Sequence, residues 1–115
     1  MAYSEYLADR VRSSLRRNHI YFYGKKMFGG ICFFVNDKMF AGIMREELMV
    51  RVDPQKQEEY LLEDFCRPLD FTKNTMKGFL YVDPEGIDME EDLDKWIDRC
   101  LEYNPRARST KEDRR

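Results

Sequence analysis

The residues of this 115-residue chain that could do chemistry are one histidine, three cysteines and a run of carboxylates near the C-terminal end. A Cys–His or Ser–His–Asp nucleophile would have to use His19, which lies in a basic stretch that opposes its protonation. An ordinary helix-end histidine is the plainer reading. Cys32, Cys66 and Cys100 are odd in number, far apart and without a C-x-x-C spacing, so neither a zinc site nor a disulfide framework is indicated. Cys32 and Cys100 fall at apolar positions, as small buried hydrophobes of a reducing compartment do, and no neighbour in sequence would activate a thiolate. The carboxylates Asp83, Glu85, Asp88, Glu90, Glu91, Asp92, Asp94 and Asp98 face only Lys95. They lack the alternating ligands and closing Glu of a calcium loop, and suit the start of a helix, where the macrodipole favours anions. There is no P-loop, dinucleotide fingerprint or G-x-S-x-G. The expectation is a chain with no catalytic residue, no metal and no cofactor, and so not an enzyme.

The elements that carry these residues read as one α+β domain. Hydrophobic residues make up 43% and charged residues 37%, which suits a globular protein with a solvated surface. No apolar run is long enough to span a bilayer, and the N-terminus has no signal core, so a cytoplasmic location without membrane contact is expected. The net charge of −2 is unevenly spread. Residues 10–26 carry Arg10, Arg12, Arg16, Arg17, Lys25 and Lys26 with no acid, opposite in sign to the run described above. The two could pair within the chain or between chains, or form solvated helix faces.

Ser4 is placed to cap a helix with Leu7, Val11 and Leu15 as its stripe, ending near Asn18. Residues 19–24 then lead in as a strand or an extended arm. Residues 31–35, 38–44 and 47–52 read as a β-meander, with two-residue turns at Asn36-Asp37 and Arg45-Glu46. Asp53-Pro54 starts a second helix, expected to run to Phe65 and to bury Leu61, Leu62 and Phe65. Residues 76–82 form a fourth strand. Asp88, with Glu91 three residues on, opens a last helix with the stripe Met89, Leu93, Trp96, Ile97, Cys100 and Leu101. The domain is expected over residues 1–105, with 106–115 a disordered charged tail.

If both hairpins pair regularly, Val35 sits opposite Lys38 and Ile31 opposite Gly42. One face then carries Cys32, Phe34, Met39, Ala41, Ile43, Leu48, Val50 and Val52, under the helices. The other carries Ile31, Phe33, Val35, Lys38, Phe40, Gly42, Met44, Glu47, Met49 and Arg51, joined by Lys77, Phe79 and Tyr81. That second face is too apolar for plain exposure. It is covered by the chain itself, or forms a homodimer or partner interface, or stacks single-stranded nucleic acid. The candidate interface residues are Phe33, Phe40, Met49, Arg51, Phe79 and Tyr81.

Lys25-Lys26-Met27-Phe28-Gly29-Gly30, residues 36–41, Leu48-Met49-Val50-Arg51-Val52, Met76-Lys77-Gly78-Phe79 and Trp96, in this order and spacing, resemble the N-terminal domain of the TfoX/Sxy competence regulators over residues 3–103. The resemblance implies a fold like the type III secretion chaperones: a helix, an antiparallel sheet and two further helices. It also implies a role in transcriptional activation of DNA-uptake genes alongside the cyclic-AMP receptor protein. Longer members carry a second, helical domain that these 115 residues are not expected to contain. No catalytic residues carry over. The family-motif matches Lys26, Met27, Phe28, Gly29, Gly30 and Arg51 are of a structural kind, glycines for a bend and arginine for a hydrogen-bonding fork. The functional expectation is a non-enzymatic regulatory or protein-interaction module, a homodimer with a transcription-regulator type of protein partner. The alternative is a nucleic-acid-associated regulator, with any nucleic-acid contact more simply indirect.

Overall fold

The computed structural model describes residues 3–27, 29–69 and 77–107. Helix α1 spans Glu5–Arg17. The Ser4 hydroxyl accepts from the Leu7 N–H at 3.1 Å, satisfying a donor that the first turn leaves open. Leu7, Val11 and Leu15 form its buried stripe, as their spacing predicts. The strands are β1 (Tyr23–Met27), β2 (Gly30–Val35), β3 (Lys38–Met44), β4 (Glu47–Arg51), β5 (Cys66–Pro68) and β6 (Phe79–Val82). They form one antiparallel sheet in the order β1-β2-β3-β4-β6-β5. The undecided lead-in therefore ends in a strand at the sheet edge.

Both two-residue turns form. Asn36 and Asp37 take φ of 56° and 61°, the left-handed pair that matches the twist of a tight hairpin. The two glycines before β2 act differently. Gly29 turns the chain at φ 77°, whereas a Cβ on Gly30 would overlap the Ile43 carbonyl and come within 2.9 Å of Met44 Sδ.

The second hairpin has the expected register, with Met44 opposite Glu47 and Ala41 opposite Val50. The first does not. Val35 pairs with Lys38 and Phe34 with Met39, but Phe33 then pairs with Ala41 and Ile31 with Ile43. Phe40 is the extra residue of a β-bulge, which resets the alternation. Ile31, Phe33, Val35 and Phe40 consequently pack under the helices with Ala41, Ile43, Leu48, Val50 and Val52. Cys32, Phe34 and Met39 go to the opposite face. Every side chain of β2 is buried, so its pattern could not choose between the two parities.

Two other elements differ from expectation. A 3₁₀ turn, Pro54–Lys56, leads into α2 (Gln57–Leu61), which stops four residues early. Phe65, at φ 70°, turns the chain into β5, a strand not foreseen. Leu62 and Phe65 are then 86% and 47% exposed rather than buried, and Tyr60 supplies the core contact. Helix α3 spans Glu90–Tyr103 with Met89, not Asp88, at the N-cap and no side-chain capping bond. Met89 is exposed, while Leu93, Trp96, Ile97 and Cys100 are buried as expected.

The core lies between one sheet face and α1, α2 and α3. Part of the uneven charge is settled within the chain, with Arg10–Glu90 at 3.1 Å, Arg17–Glu90 at 3.3 Å and Arg17–Asp94 at 3.1 Å. The expected tail boundary shifts. Asn104 is buried and donates to the Val35 carbonyl at 3.0 Å, Arg106 meets Asp53 at 3.1 Å, and Ala107 is buried. Residues 108–115 of the expected tail lie outside the described residues.

Candidate contact face

The sheet face turned away from the helices is built by alternation along β1–β4 and β6, with one row crossing five strands. Tyr23 pairs with Phe34, and Phe34 pairs with Met39. Arg51 pairs with Phe79, and the Arg51 Nη1 donates to the Met39 carbonyl at 3.5 Å, which closes the row. The Tyr23 and Phe34 rings stack 5.1 Å apart at 3°, and the Arg51 guanidinium lies 5.4 Å from the Phe79 ring centroid. Tyr23 is 45% exposed, and Met39, Arg51 and Phe79 are half-buried. Aromatic, methionine and arginine side chains in a partly desolvated row are the composition of a contact surface.

Behind this row the face closes. Cys32, Met44, Met49 and Leu69 are buried in a second small core, with Met27, Met39, Phe79 and Tyr81 packed against it. The half-buried Tyr81 carries the Arg67 guanidinium 5.0 Å from its ring centroid, and Arg67 is held by Glu47 and by Asp83.

Of the six candidate interface residues, the structure brings Arg51, Phe79 and Tyr81 together at this surface. Met49 lies on the same face but is 1% exposed. Phe33 and Phe40 do not belong to it: at 0% and 1% exposure they fill the core under the helices, because the Phe40 bulge inverts their parity. Among the motif residues, Lys26 is exposed on β1, Met27 is half-buried, Gly29 and Gly30 shape the turn, and Phe28 lies outside the described residues. Sequence reasoning missed Tyr23, Phe34 and Met39. Tyr23 carried a usable signal, since a ring two residues before Lys25 fits alternation toward this face once residues 23–27 are read as a strand.

The thiols are held in their protonated form. Burial pushes Cys100 up to about 12 and Cys32 up to about 11. Cys66 is also raised to about 11, by burial first and the neighbouring Glu63 charge second. A thiol of this kind is a poor nucleophile and a poor metal ligand at neutral pH. Among the described residues, no three His, Cys, Asp or Glu side chains converge as a metal site would require. No helix there is long and apolar enough to cross a membrane.

Against known proteins, no curated protein and no solved structure matches the chain. The family model of the TfoX N-terminal domain matches residues 22–103, from the lead-in to β1 through the last turn of α3. With most of its length matched, including the Gly29-Gly30 turn and the strands that build the row on the open sheet face, the chain belongs to the TfoX N-terminal domain family.

Proposed function

We propose that this chain is a non-enzymatic regulatory module of the TfoX N-terminal type that works by protein contact. Its contact surface is the row Tyr23, Phe34, Met39, Arg51 and Phe79, and a second copy of the chain is the simplest partner. The alignment of that row across the sheet is the observation that carries the reading. The row is held in place before contact: Tyr23 is stacked on Phe34, and Arg51 is oriented by Phe79 and the Met39 carbonyl. Little side-chain freedom is left to lose on association. A twofold axis through the row lets one patch complement itself. A cytoplasmic location suits three separate cysteines kept as buried or half-buried free thiols.

Phe79→Asp tests this reading. It places a charge in the contact and leaves the helix-covered core untouched. In sedimentation velocity the wild type is expected to shift toward the dimer as concentration rises, and the variant to stay monomeric with an unchanged circular dichroism spectrum. A wild type that stays monomeric at the highest soluble concentration overturns self-association.

The second reading, a nucleic-acid-associated competence-type regulator, is favoured by Lys25 and Lys26, which are exposed next to Tyr23. Binding of a single-stranded oligonucleotide that falls steeply with salt would establish it.

A further inference from the structure

The two edges of the sheet are built differently. The β5 edge is short, three residues, and Pro68 offers no N–H. Its Arg67 is tied to Glu47 and Asp83. The β1 edge is five residues long and contains no proline, and its register with β2 runs without a bulge from Tyr23↔Phe34 to Met27↔Gly30. Tyr23, Gly24, Lys25 and Lys26 are all exposed.

The backbone groups of this edge follow from the register. A hairpin with two residues between its closing pair closes on a hydrogen-bonded pair, here Met27↔Gly30, and such pairs then alternate along the ladder. Lys25 and Tyr23 therefore bond to β2, while Gly24 and Lys26 turn their N–H and C=O groups outward. Gly24 has no side chain to screen the edge. The ammonium groups of Lys25 and Lys26 fall on opposite faces of the strand. Neither has an ion-pair partner among the described residues, unlike Arg10, Arg17, Lys56 and Lys95.

We propose that β1 is a strand-addition site for an extended acidic segment of a partner protein. The segment pairs with the outward backbone groups of Gly24 and Lys26 and sets carboxylates beside Lys25 and Lys26. Edge lysines also deter unwanted pairing, and here they select: they repel neutral or basic strands and admit acidic ones. A second copy of this chain is a poor occupant, because β1 against β1 would set lysines against lysines. The site is an edge and does not depend on the contact row of the sheet face.

The test uses the full chain and a fluorescent probe peptide alternating Glu and Val, read by anisotropy. The acidic probe is expected to bind saturably. The same probe N-methylated through its central residues keeps its charge but loses its strand donors, and is expected to bind about tenfold more weakly or worse. The Lys25→Glu/Lys26→Glu double variant and a Lys-for-Glu probe are expected not to bind. Lys26→Pro removes an outward N–H and is expected to lose binding while its circular dichroism stays native. If it unfolds, the N-methylated probe still decides. Equal binding of the N-methylated and parent probes overturns the proposal, since it leaves only charge attraction. Absence of saturable binding overturns it as well. Phe79→Asp is expected to keep probe binding, which separates this site from the self-association surface.

Discussion

Phe40→Ala is the sharpest perturbation of the account, because the alternating reading and the structure place this ring on opposite sides of the sheet. Phe40 is 1% exposed and belongs to the helix-covered core that also holds Leu15, Phe33 and Trp96. Truncating a fully buried phenylalanine costs about 3–5 kcal/mol in lost transfer free energy and cavity. A domain of this size has about 5–15 kcal/mol in total, so the variant should fold with a sharply reduced margin. At about 4–8 °C per kcal/mol, the melting temperature should fall by roughly 12–40 °C. Phe79→Ala is the matched control. Phe79 is half-buried on the other face, and its loss removes part of one ring's burial and one half-buried cation–π contact, about 1–1.5 kcal/mol together. Urea titration followed by Trp96 fluorescence and by circular dichroism measures both, since Trp96 lies in the same core cluster as Phe40. A Phe40→Ala variant within about 1 kcal/mol of wild type, or a larger loss for Phe79→Ala, would refute the bulge and the faces derived from it.

Gly30→Ala should destabilise the hairpin by about 1–3 kcal/mol in the same titration, because the new Cβ meets the Ile43 carbonyl. Toward an aromatic disulfide reagent, half-buried Cys66 should react first and slowly, with Cys32 and Cys100 reacting only on unfolding; early release of a second thiol would contradict their burial. Asp53 is held below the usual carboxylate range, by the Gln55 N–H first and by Arg106 in addition, and Glu102 is lowered by Lys56 and Arg106. Both are lowered by folding, so their stabilisation is present in full above about pH 4.5 and is lost as pH falls through their folded values. Urea midpoints for wild type should therefore drop below that pH, and Asp53→Asn should flatten the drop.

The parts of the fold legible in the sequence are those where local chemistry acts alone. Ser4 and the Leu7–Val11–Leu15 spacing define α1, Asn36-Asp37 supplies the two positive φ values of its hairpin, and Leu93 to Cys100 gives α3 its stripe. The register of β2 against β3 was illegible for a physical reason. Gly30–Val35 is apolar on both sides, so the pattern fits either parity, and a one-residue bulge decides it through packing that no local signal encodes. The same holds for Phe65, whose apolar character suggested a longer helix. Its positive φ instead serves the turn into β5, where the Asp83 N–H bonds to its carbonyl at 2.8 Å. Of the candidate residues, Arg51, Phe79 and Tyr81 lie on the open sheet face because they are beyond the bulge, whereas Phe33 and Phe40 lie at it and turn into the core.

The central claim, that the row across the open sheet face is where the chain meets protein, is tested most directly by hydroxyl-radical footprinting at low and high concentration. This reports on the side chains themselves, and methionine and aromatic rings are its most reactive targets. Tyr23, Met39 and Phe79 should lose oxidation as the protein concentrates, while Met89 and Tyr21, exposed elsewhere, stay constant as internal references. Unchanged oxidation of the row, or protection of Met89 in its place, would contradict the account.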